Sequence, residues 1–205
     1  MSGAPSIKGA IFTHCVEKLL KLVSSGRISR AELERRLEPG DIEILEGPIH
    51  ATKWYDIRVY ERMMRLNRDV DGDGSNEYLV RWGAKSAENL LVMGTYQQLD
   101  YAKRIQVGKE TDPQARFVAY GRDLRLMMSS TSSFLNFVHV EVKVDPENDS
   151  RYVLEYSNAA AYPDVLCWTN LGFINRLAAE HGETDLWKWE RPSPDRVVYR
   201  MTRSI

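Results

Sequence analysis

The strongest chemical signal in the chain is the run Asp69-Val70-Asp71-Gly72-Asp73-Gly74-Ser75-Asn76-Glu77. Hard Ca²⁺ takes oxygen ligands, and carboxylates at alternate positions of a loop can converge on one ion while a glycine permits the sharp turn. On that template Asp69, Asp71 and Asp73 supply carboxylates, Ser75 its carbonyl, and Glu77 a direct or water-borne contact. The match then breaks. The bidentate glutamate that closes an EF-hand is Val80 here, and the usually aliphatic position is Asn76. The competing reading is a solvated acidic turn, with Asp and Gly chosen for turn geometry and Ser75 or Asn76 capping the next helix. Asp69, Asp71, Asp73, Ser75 and Glu77 stand as the candidate metal ligands, and Ca²⁺ as the one candidate cofactor.

Other chemistries find less support. The four histidines, His14, His50, His139 and His181, share no helical spacing that would place two zinc ligands on one face. Each reads as structural, with His181 in a last helical turn where a cation complements the dipole. Neither cysteine, Cys15 or Cys167, has a histidine nearby in sequence, and both lie in apolar surroundings as buried thiols would. There is no nucleophile elbow, phosphate-binding loop or dinucleotide fingerprint. Ser129 to Ser133 is a polar connection. Catalysis would need a site assembled only in three dimensions. Trp54, Trp82, Trp168, Trp187 and Trp189 read as core packing. Arg58, Arg62, Arg65 and Arg68 read as a solvated stripe, as do Arg116, Arg122 and Arg125. Met63, Met64, Met127 and Met128 would suit either a core or an adaptable pocket.

Elements must position these groups. Ile7, Ile11, Cys15, Leu19 and Val23 recur every four residues, widened by Phe12, Val16 and Leu20, which predicts an amphipathic helix ending near Gly26. Ser29 and Glu32 form a capping box for a short helix from Arg30 to Leu37, stopped by Glu38-Pro39-Gly40. An irregular stretch from Asp41 to His50 follows. Further helices are expected from Lys53 to Asn67, burying Trp54, Ile57 and Met64, from Asn76 to Met93, and from Gln114 to Met128 after Asp112-Pro113. Gly94-Thr95-Tyr96 breaks the second of these.

Beyond Phe134 the period changes to two. Val138, Val140, Val142 and Val144 share one face of a strand, with Phe137, His139, Glu141 and Lys143 on the other. Pro146 to Asp149 turns the chain into a returning strand, Arg151 to Tyr156. A helix from Pro163-Asp164 to His181 is capped by Gly182. Strands Leu186 to Glu190 and Arg196 to Thr202 close the sequence. The fold class is therefore α+β: a helical half, about residues 7–130, then β-β-α-β-β with a roughly four-stranded antiparallel sheet, about 131–205. No linker divides it, so one domain over residues 1–205 is expected.

The 205 residues carry 28 basic and 29 acidic side chains, a net charge of −1, with 43% hydrophobic and 28% charged residues. A core of useful size is within reach without disulfide or metal. The balance excludes a dedicated nucleic-acid binder, which would be basic. No apolar run reaches the length of a membrane span, no cleavable signal is present, and the two thiols fit the cytoplasm.

From Ile7 to Arg191 the chain resembles a superfamily of ligand-binding domains that includes heme-nitric-oxide sensors, 4-vinyl-reductase-type small-molecule domains and TRAPP vesicle-tethering subunits. More narrowly it resembles a little-characterised bacterial family found mainly in myxobacteria. The residues that carry this are Lys8-Gly-Ala-Ile-Phe12, Trp54-Tyr55, Gly83, Gly94-x-Tyr96, Phe134 to Val144, and Leu171-Gly-Phe173 through His181-Gly182. They are packing and turn positions, so the resemblance speaks to fold more than to function. The heme sensors use a helical histidine and a Tyr-x-Ser-x-Arg motif for the propionates. The nearest echo here, Tyr199-Arg-Met-Thr-Arg203, lacks the serine, and no helical histidine is suitably placed. The late cysteines of many 4-vinyl-reductase domains are missing as well.

Together these features imply a non-enzymatic sensory or scaffold module that holds an apolar small molecule or a protein partner between helices and sheet. A Ca²⁺-responsive regulator built on Asp69–Glu77 and an enzyme with a cryptic site are the alternatives. A homodimer through the first helix or an open sheet edge is compatible with the sequence.

Overall fold

The computed structural model describes residues 3–92 and 112–205. The expected break at Gly94-Thr95-Tyr96 lies outside them. The chain opens with a short strand, β1 (Ser6–Lys8), and only then enters α1 (Gly9–Ser24). This corrects the expectation that Ile7 begins the helix. β1 pairs antiparallel with β2 (Trp54–Asp56), with Ile7 opposite Tyr55. Its other side meets the segment after the helix that ends at Met128, where Lys8 N–H donates to the Phe134 carbonyl at 2.9 Å and the Asn136 side chain accepts from Ser6 N–H at 2.7 Å.

The apolar stripe of α1 is rotated from the sequence reading. Phe12, Cys15, Val16, Leu19 and Leu22 are buried, while Ile11 and Leu20 are exposed. α2 (Arg30–Arg36) begins where expected, because the Ser29 hydroxyl accepts from Glu32 N–H at 3.1 Å. The Glu32 carboxylate does not complete a capping box; it pairs with Arg35 at 2.6 Å.

Pro39, expected to stop a helix, starts one: α3 (Pro39–Glu46) replaces most of the irregular stretch. Proline suits a first turn, where its missing N–H would have no partner. The Asp41 carboxylate accepts from Glu38 N–H at 3.0 Å, and Ile42 and Leu45 turn one face inward. Asp41 itself is buried and receives both arms of the Arg62 guanidinium, at 2.5 and 2.7 Å. Arg62 therefore belongs to a bidentate ion pair rather than to a solvated stripe.

α4 (Ile57–Asp71) starts later than predicted because Trp54 to Asp56 is spent on β2. Trp54 is 41% exposed, with Lys8 Nζ lying 4.1 Å from its ring centre, so it is not a core residue. α5 (Asn76–Val92) and α6 (Pro113–Met128) follow the sequence reading; Asp112 caps α6 by accepting from Gln114 and Ala115 N–H.

The second half is the expected β-β-α-β-β. β3 (His139–Asp145), β4 (Asn148–Ser157), β5 (Trp187–Ser193) and β6 (Arg196–Met201) form an antiparallel sheet of order β3-β4-β6-β5, with α7 (Asp164–Ala179) between β4 and β5 in sequence. Tyr152, Leu154 and Tyr156 of β4 and Val197, Tyr199 and Met201 of β6 bury the inner face. The valine face of β3 fades outward, and Val144 is 44% exposed.

Two glycines set the packing of α7. A Cβ at Gly83 would stand 1.7 Å from the Thr169 carbonyl oxygen, and one at Gly172 would stand 1.8 Å from that of Val80. α5 and α7 thus cross backbone to backbone. One hydrophobic cluster runs from α1 and α4 through α7 to the sheet. No helix among the described residues is long and apolar enough to cross a membrane.

Candidate functional site

The close crossing of α5 and α7 leaves space on the side facing α1 and the sheet. A cavity of about 340 Å³ opens there, within the range of small-molecule sites. α7 contributes Leu166, Thr169, Asn170 and Phe173, at spacings of three, four and seven residues on one helical face. α5 adds Trp82 and Ser86, one turn apart, and α6 ends in Met127 and Met128. Ala10, Ile11 and His14 come from α1, Tyr60 from α4, Tyr156 from β4, and Tyr162 and Phe134 from connecting segments. The partial exposure of Ile11 follows from its place on this cavity rather than in the core.

The lining is apolar, with a few neutral polar groups. The Asn170 amide donates to the Tyr156 hydroxyl at 2.8 Å, and that hydroxyl faces the Met128 sulfur at 3.6 Å. Thr169 donates its hydroxyl to the Val165 carbonyl at 2.6 Å, Ser86 to Trp82 at 3.0 Å, and Ser130 to Met127 at 2.8 Å. Burial pushes the phenols of Tyr60, Tyr156 and Tyr162 well above their ordinary range, so all three stay neutral. No Asp, Glu, Lys or Arg is among the described residues of the wall. His14 is two-thirds exposed and lies 3.5 Å from Glu17, which places it at the mouth.

Heme is the group that this resemblance would bring, and the described walls do not fit it. An iron needs an axial histidine, thiolate, thioether or phenolate. Burial keeps the lining phenols neutral, which leaves the Met127 and Met128 thioethers and the rim imidazole of His14 as the described donors. Of the four histidines only His14 reaches the cavity; His50 and His139 are exposed, and His181 is partly buried beside Asp123 at 3.8 Å. Cys15 and Cys167 are buried outside it, the latter thiol pushed up to about 12 mainly by desolvation. Propionates need cationic or N–H partners, and no described lysine or arginine lines the cavity. In the echo motif, Tyr199 is in the core with its hydroxyl on the Cys167 carbonyl at 3.0 Å. Arg203 is engaged by Glu183 at 3.1 Å, away from the cavity.

The acidic run lies elsewhere, and the structure does not bring its five residues together. Asp69 and Asp71 belong to the last turn of α4. Asp69 faces Arg36 and Arg68, and Asp71 faces Lys18 at 2.6 Å and Arg27. Burial alone would raise both carboxyl pKa values, but these cationic partners outweigh it and hold them below the usual range. Asp73 is exposed, in the left-handed region at φ 51°. Ser75 accepts from Glu77 N–H at 3.2 Å at the start of α5, the capping role of the competing reading. Among the described residues no group of three or more His, Cys, Asp or Glu is arranged to hold a metal ion.

Of the residues singled out in sequence, Met127, Met128 and Trp82 reach the cavity; Met63 and Met64 are fully buried core. Tyr60, Tyr156, Tyr162, Thr169 and Asn170 carry no motif. The one available signal is the polar pair Thr169-Asn170 set into the apolar spacing Leu166, Phe173, Leu177.

No protein-family model and no curated protein sequence matches the chain. Three solved structures do. A mutant H-NOX protein from K. algicida in the Fe(II) unliganded state superposes with a TM-score of 0.58 at 14% identity, covering 95% of both chains. The K. algicida H-NOX protein without that mutation gives 0.55 at 14% identity. An H-NOX protein from S. oneidensis in the Fe(II)NO state gives 0.52 at 15% identity, covering 95% of this chain and 98% of the other. At such identity the likeness establishes architecture alone: this chain has the H-NOX fold.

Proposed function

We propose that the protein is a non-catalytic sensory or scaffold module that binds a small apolar organic molecule, not heme, in the cavity between α1, α5, α7 and β4. The observation that carries this reading is the cavity wall: aromatic, aliphatic and thioether groups with a few neutral hydrogen-bonding atoms, and no charged side chain among the described residues. Such a wall rewards transfer of apolar surface from water and penalises an uncompensated charge. Binding rather than turnover is favoured because the lining has no nucleophile paired with a base. His14, the one imidazole, stands at the rim beside Glu17. The H-NOX architecture of its structural neighbours supports a ligand-responsive role.

The test is a fluorescence titration with Nile red, a neutral apolar dye, on the parent and on Ser86→Phe, which fills the α5 side of the cavity. Saturable binding by the parent, reduced at least tenfold in a folded Ser86→Phe variant, is expected. Hemin added to the parent should give no sharpened Soret band. A stoichiometric hemin complex with such a band, or dye binding indifferent to the substitution, would overturn the reading.

A further inference from the structure

We infer that the molecule held in this cavity is a neutral hydroxyl compound with an apolar body. The inference rests on the proposed pocket and narrows its ligand class. The hydroxyl protons of Thr169, Ser86 and Ser130 are already committed to carbonyls of their own helices or helix end, at 2.6, 3.0 and 2.8 Å, so these oxygens can only accept. The Asn170 amide spends one N–H on Tyr156 at 2.8 Å, and its carbonyl oxygen accepts from no described residue. The wall is therefore rich in acceptors.

Tyr60 supplies a donor, beside the amides of Asn89 and Asn170 and the Thr131 hydroxyl. Tyr60 is 1% exposed and lines the cavity, and its phenol carries a proton to donate. A ligand oxygen that accepts from this phenol gains a hydrogen bond in a desolvated site. A hydroxyl group both donates and accepts, so it can satisfy an acceptor such as Asn170 and the Tyr60 donor together. An ether only accepts. A carboxylate only accepts and also brings a charge that no described lining side chain neutralises. Aromatic rings of Trp82, Phe134, Phe173 and Tyr156 around the space suit a flat apolar body.

Three compounds of one shape separate these cases: 2-naphthol, 2-methoxynaphthalene and 2-naphthoate, each titrated calorimetrically into the full chain beside Nile red. We expect 2-naphthol to bind, the methyl ether to bind about tenfold more weakly, as one lost hydrogen bond implies, and the carboxylate to show no saturable binding. Tyr60→Phe should weaken 2-naphthol and the ether alike, several-fold, because the oxygen of each accepts from that hydroxyl, and leave the preference for the naphthol in place. Equal affinity of naphthol and ether, or tighter binding of the carboxylate, would overturn the hydroxyl assignment. If Nile red binds while none of the three does, this inference fails and the pocket reading stands. If Nile red also fails to bind, the pocket reading itself falls.

Discussion

At the scale of single residues, charge pairing explains more of this protein than metal chemistry does. Asp69 and Asp71 tie the end of α4 to basic side chains that arrive from α1, α2 and the turn between them, whereas Asp73 points into solvent. The loss from Asp71→Asn is expected to be about 1–2 kcal/mol in urea unfolding, the range of a charge-assisted bond discounted for partial exposure. Asp73→Asn should stay within about 0.5 kcal/mol, since asparagine tolerates the left-handed backbone there. The Asp71 pKa is depressed in the folded chain. Its contribution is thus complete above the unfolded carboxylate value of about 3.9 and disappears as pH falls through the lower folded value. The gap between parent and Asp71→Asn should accordingly be full at pH 7 and close below about pH 4. A parent melting temperature that rises with millimolar calcium, and no longer does so in Asp71→Asn, would instead establish an ion at this turn. The aspartates and the Ser75 cap are legible in sequence because they are local. Their partners Lys18, Arg27 and Arg36 are not, because distant helices deliver them.

At the scale of elements, the long helices and the strands of the sheet are readable because each repeats its apolar period several times. The misses share a cause: they are too short to show a period. β1 and β2 have three residues each, and Ile7 and Trp54 fit the helical spacing of their neighbours, so both look like first turns of helices. Pro39-Gly40 reads as a stop because proline cannot sit mid-helix, yet it is equally at home at a first helical position. Side-chain pattern also hides the α5–α7 crossing, which depends on the absence of side chains. Gly172→Ala places a methyl against the Val80 carbonyl and should destabilise by about 1–3 kcal/mol or more through overpacking. In guanidinium unfolding, a change below about 0.5 kcal/mol would refute the backbone contact.

At the scale of the whole molecule, the cavity is a consequence of how elements distant in sequence meet, and only fragments of it were available in sequence. Met127 and Met128 could be named as adaptable pocket residues, whereas Thr169-Asn170, a polar pair in an apolar helical stripe, carries no motif to single it out. Tyr60 and Tyr156 look like any core tyrosine until α4 and β4 are brought to the same space. The chain has the H-NOX fold with a described wall that lacks charged groups and has its single histidine at the rim, and the fold by itself does not name the ligand. Native against denaturing mass spectrometry of freshly purified protein, for the parent and for Ser86→Phe, tests most directly whether this wall holds a neutral organic molecule. The parent should carry an extra organic mass that denaturation releases and that Ser86→Phe lacks. An iron-porphyrin mass on the parent, or the same released mass on both proteins, would contradict a neutral ligand held in this cavity.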